Sequence, residues 1–147
     1  MESLKTYGDW VSLIEDIDYC DDTTYGLLAS GTFEEGAASR LFKLVQDYCS
    51  RCVNKLTTSL IDTLNRIEFS DIDGAVISIN RYSASCRRLL FFEAKEGFPP
   101  EGEQLAAEIR EYTRAVLRKL RADYEQQGTK LGDEMAYQTT KLLRVWK

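Results

Sequence analysis

The chain contains no histidine. That absence removes Ser-His-Asp and Cys-His nucleophilic catalysis, imidazole acid–base chemistry, and zinc or di-iron sites that depend on imidazole ligands. Proline occurs only as the adjacent pair Pro99-Pro100, so long helices are permitted on either side of it. No stretch approaches the roughly 18–20 uncharged apolar residues of a membrane span. The opening Met1-Glu2-Ser3-Leu4-Lys5 lacks the basic and apolar regions of a secretory signal. Without an export signal the four cysteines read as reduced thiols, and a cytoplasmic location away from membranes is expected. No phosphate-binding glycine loop, dinucleotide fingerprint or Gly-x-Ser-x-Gly elbow occurs, so no cofactor is expected. Strand-period alternation and hairpin signals are missing as well.

What remains is 147 residues, 44% hydrophobic and 29% charged, a balance that supports a folded domain with a real core over a disordered chain. One domain spanning 1–147 is expected. The net charge of −5 is unevenly spread: residues 1–40 carry nine acidic side chains against Lys5 and Arg40, whereas residues 41–147 are slightly basic. A pI near 4.9 disfavours bulk electrostatic attraction to nucleic acid.

Apolar residues recur at steps of three and four through most of the chain, the period of an amphipathic helix. Leu4, Tyr7, Trp10, Val11, Ile14 and Ile17 predict a helix over 2–20. Residues 21–31 are less regular and read as either a short helix between Asp22 and Gly31 or a structured loop. Thr32 is a suitable N-cap, with Glu34 and Glu35 in the first turn, for a long helix over 33–68 carrying Leu41, Val45, Tyr48, Cys52, Leu56, Leu60 and Leu64. Ser70 and Asp73 resemble a capping box opening a helix over 71–96, which Gly97 and the prolines would stop. A helix over 100–127 carries Leu105, Ile109, Tyr112, Val116, Leu117, Leu120 and Tyr124, and a last one covers 130–146, with Gly132 as its weak point. The expected fold is all-α: an antiparallel up-down bundle of four main helices plus a short helical segment near the N-terminus.

Four features could carry function. Cys49-Ser-Arg-Cys52, with Cys20 and Cys86, supplies the four thiols of a closed metal site. The same residues lie on apolar faces, where cysteine packs as a small hydrophobe, and mid-helix placement favours that plainer role. The acidic segment around Asp16, Asp18, Asp21 and Asp22 could dock on a basic surface, although a solvated helix end explains it equally. Arg110, Arg114, Arg118 and Arg121 share about 80° of helical arc at 100° per residue. They could contact an acidic partner, but Glu111 and Glu125 stand at salt-bridging spacings among them. Glu93-x-x-Glu96 and Glu108-x-x-Glu111, placed on neighbouring helices, resemble the facing carboxylates that hold Mg²⁺ in all-α nucleotide pyrophosphohydrolases, without the usual closing Asp.

Eight tyrosines and two tryptophans exceed what a core of this size obviously needs, and aromatics and arginine are enriched at binding surfaces. The favoured expectation is therefore a non-enzymatic interaction or regulatory protein. It would act as a small acidic inhibitor or adaptor, or associate with itself, using the arginine stripe and the acidic segment. A metal or redox protein built on the cysteines is the first alternative, and a Mg²⁺-dependent pyrophosphohydrolase the second.

Overall fold

A computed structural model of the chain describes residues 4–34, 36–93 and 95–146. Among them the chain is all-α, with six helices and no strand: α1 (Tyr7–Ile14), α2 (Asp22–Ser30), α3 (Ala37–Arg66), α4 (Ile72–Arg88), α5 (Glu101–Glu125) and α6 (Lys130–Val145). The four long helices follow the expected ones, with their ends moved by contacts that periodicity does not encode.

The first helix is eight residues, not the expected run over 2–20. Thr6 and Asp9 form a reciprocal capping box, each side chain accepting from the other's backbone N–H. Leu4 and Lys5 stay out of the helix because their carbonyls accept from Thr32 and Glu34 at 2.8 and 3.0 Å. The same pairing takes Thr32 and Glu34 away from α3, which starts at Ala37 after the left-handed Gly36; Glu35 lies outside the described residues. Residues 22–30 are a helix capped by Asp21, whose side chain accepts from Thr24 N–H at 2.8 Å. Asp71, not Ser70, caps α4 by accepting from Gly74 N–H at 3.0 Å. That helix stops at Arg88 instead of 96. Beyond it, Leu90, Phe91, Glu93 and Lys95 donate to carbonyls three residues back, a tighter turn that swings Leu89, Phe91 and Phe92 into buried positions. Gly128 (φ +65°) terminates α5, and Thr129 caps α6 at 2.9 Å, so Gly132 lies inside the helix.

The chain forms two compact units. The first comprises Met1–Lys55 and Arg87–Ile109, the second Leu56–Cys86 and Arg110–Lys147. The first is built on an aromatic chain: Trp10 stacks on Phe33 at 4.8 Å, Phe33 meets Phe98 at 5.4 Å, Phe98 meets Phe92 at 5.2 Å, and Phe91 bridges Phe92, Trp10 and Tyr48. In the second, Leu60, Ala75, Ile79, Tyr82, Cys86, Leu117, Met135 and Trp146 are buried from four helical segments, each large apolar side chain contributing about 1.5–3 kcal/mol. Two buried polar contacts fix its packing: Trp146 Nε1 donates to Ser83 Oγ at 2.7 Å, and the Thr57 and Tyr82 hydroxyls share a hydrogen bond at 2.9 Å. Both tryptophans are thus core residues rather than surface anchors.

Candidate functional site

The second unit carries an apolar groove between the C-terminal part of α3 and the middle of α5, with a volume of about 490 Å³. Leu64, Val116 and Leu120 are half-buried along it, and Tyr124 is buried at one end. Ile61 and Tyr112 project at its edge, 44% and 38% exposed. Lys119 and Asp123 form the charged rim, paired at 3.6 Å. The helical repeat explains why these residues line up: positions 112, 116, 119, 120 and 123 fall on one stripe, displaced from the 109, 113, 117 and 124 stripe that enters the core. Tyr112, Val116 and Leu120 belong to the apolar arc that the sequence assigns to burial. The available signal was the width of that arc, broader than one packed neighbour requires. Ile61 lies off the periodic face of α3 and carried no such signal.

The arginine stripe is largely tied to its own helix. Arg114 donates through Nε and Nη2 to Glu111 and through Nη1 to the Trp146 carbonyl at 2.8 Å, and Arg118 reaches the other Glu111 oxygen at 3.2 Å. These two guanidiniums hold the Glu111 carboxyl below its ordinary range. Arg121 pairs more loosely with Glu125 at 3.9 Å, and Arg110 is half-buried.

The acidic residues lie in the first unit and serve different tasks. Asp21 caps α2, and its carboxyl is held below the ordinary range by the Thr24 N–H. Asp18 pairs with Lys55 at 3.0 Å, Asp22 pairs with Arg88 at 2.6 Å, and Asp16 is exposed in the bend after α1. Three cations close the backbone of this region. Arg51 Nη2 donates to the Ile14 and Ile17 carbonyls at 2.8 and 3.0 Å, Arg88 to Cys20, and Lys95 to Ala29 and Gly31. Arg51 and Lys95 each meet a carbonyl in the last turn of a short helix, where no intrahelical donor follows, and Arg88 meets one in the link between the two helices.

Cys20, Cys49 and Cys52 belong to the first unit, Cys86 to the second. All four are free thiols; three are buried and Cys20 is half-buried. Burial pushes Cys49 well above the usual thiol range, Cys52 up to about 12 and Cys86 up to about 11. Cys49 donates to the Leu89 carbonyl at 3.6 Å. Of the expected carboxylate pairs, Glu93 and Glu96 follow the end of α4 instead of lying on it, Glu108 and Glu111 are on α5, and Glu111 is engaged by arginine. Among the described residues no three thiol or carboxylate side chains converge as a set that could hold a metal ion, and no helix is long and apolar enough to cross a membrane.

No family model matches the chain, nor does any curated protein or solved structure. The functional reading rests on the site geometry.

Proposed function

We propose that this chain is a non-enzymatic interaction protein that works through helix packing in the α3/α5 groove of its second unit, with a second copy of the chain as the occupant. The observation that carries the reading is that one patch holds both projecting and receding apolar groups. A two-fold interface demands this, because residue i of one copy meets j of the other while j meets i. Ile61 and Tyr112 supply the projections, and Leu64, Val116 and Leu120 the recess. The rim is self-complementary in charge as well, since Lys119 and Asp123 lie within one helical turn and a two-fold axis can set each against its opposite. The internal pairing of Arg114 and Arg118 with Glu111 favours the groove over the arginine stripe as the main contact. For the second unit itself we infer an up-down course of its four helical segments, supported by the Thr57–Tyr82 bond across the 67–71 turn.

Light scattering coupled to size exclusion, from about 1 to 500 µM, tests the reading over the range in which transient dimers form. The expected result is a concentration-dependent dimer. Ala115→Arg, at an exposed helical position in the groove wall, should give a monomer with an unchanged helical spectrum. A wild-type chain that stays monomeric throughout overturns the second copy as occupant.

A further inference from the structure

The first unit contains a second cavity, unrelated to the groove, of about 540 Å³ beside the C-terminal end of α2. This lies within the range of small-ligand sites, roughly 300–1,000 Å³. Phe33 and Phe91 line it together with the half-exposed ring of Tyr25, and Lys95 and Glu96 are its charged residues. The two differ in placement: Glu96 is exposed, whereas Lys95 is half-buried. The Lys95 ammonium lies 5.9 Å from the centre of the Trp10 ring and donates to the Ala29 carbonyl at 2.9 Å and the Gly31 carbonyl at 2.5 Å. An ammonium has three N–H donors, so one remains after these two bonds. Among the described residues no carboxylate pairs with it. Burial lowers the Lys95 pKa, because partial removal from water disfavours the charged ammonium. A half-buried cation that no described carboxylate pairs with, next to aromatic walls, is complementary to a ligand that carries both an anion and a ring.

We propose that this cavity binds a small aromatic carboxylate, with the carboxylate on the Lys95 ammonium and the ring against Phe33 and Phe91. The cavity goes beyond the self-association reading and does not depend on it. Charge selects the ligand class: the neutral amide of the same acid fills the same space but leaves the ammonium uncompensated.

Isothermal titration of the full chain with phenylacetate and with phenylacetamide tests the proposal. Phenylacetate should bind at least about tenfold more tightly, the scale of one charge-assisted hydrogen bond. In Lys95→Met that preference should vanish, with the two probes binding equally weakly. Because Lys95 also holds the end of α2, a second variant keeps the test independent of folding. Ala29→Trp places an indole into the cavity from an exposed position and retains Lys95, and it should remove binding of both probes while the helical spectrum is kept. Equal affinity for acid and amide in the unaltered chain overturns the proposal, as does unchanged phenylacetate binding in Ala29→Trp. So does the absence of any binding at about 10 mM phenylacetate, a concentration that detects even millimolar affinity.

Discussion

Arg51 reaches from α3 to the carbonyls of Ile14 and Ile17, and so decides where the first helix can end. Its replacement by Met keeps most of the apolar stem but leaves both carbonyls without their donor. A loss of about 1–3 kcal/mol is expected, read as a lower urea midpoint. The buried thiols act through pH. Their folded pKa values, about 12 for Cys52 and about 11 for Cys86, lie above the roughly 8.5 of an unfolded thiol. A raised folded pKa means that the folded state holds the proton more tightly. The associated stability is complete below about pH 8.5 and is lost as pH rises toward the folded values. Under reducing conditions the urea midpoint should therefore fall between about pH 8.5 and 10, and Cys52→Ala/Cys86→Ala should flatten that slope. A midpoint independent of pH in this window would mean that the thiols titrate alike in both states. None of this is visible in the residue types alone: Arg51 stands in no candidate set and Cys49 is legible only as a core residue or metal ligand, yet each donates to a backbone carbonyl 34–40 positions away.

At the scale of elements, helix interiors were legible and helix ends were not. The buried side chains Ala75, Ile79, Tyr82, Ser83 and Cys86 of α4 all share one face at helical spacing, because a 3.6-residue period leaves one side of a helix dry whatever packs on it. The ends depend on who takes the unpaired N–H and carbonyl groups, and those groups have distant partners at 4–5, 32–34 and 14–20. Gly132 shows the same division. Read as a sequence it weakens α6, since glycine is about 1 kcal/mol poorer than alanine in a helix. In the structure it is buried, and an added Cβ would meet the Tyr124 carbonyl oxygen at 2.5 Å and Thr129 Oγ1 at 3.1 Å. Gly132→Ala should consequently destabilise, by about 1–3 kcal/mol, against the direction of helix propensity. A higher melting temperature for this variant would show that the α5–α6 turn has room to open. Asp21→Ala should cost about 1 kcal/mol through loss of the α2 cap.

For the whole molecule the governing feature is that two compact units share helices: α3 and α5 each contribute residues to both. Melting either helix removes structure from both units, which predicts joint unfolding. The cysteines report on this. Cys20 is half-buried and should react first with a thiol reagent in the native state, whereas Cys52 in the first unit and Cys86 in the second should be labelled only on unfolding, at one common urea concentration. Distinct midpoints for these two sites would show that each unit opens separately. Composition and period were enough by themselves to determine an all-α chain, the courses of the four long helices and the inward faces that carry the cysteines, because each follows from local backbone geometry and from removing apolar area from water. Tertiary structure alone decided where α1, α3 and α4 begin or end, which apolar residues of α5 line an open groove instead of the core, and that Lys95, paired with no carboxylate among the described residues, stands beside aromatic rings. These are set by which remote group reaches a given carbonyl or ring, and no local pattern in the chain records a contact made across dozens of residues.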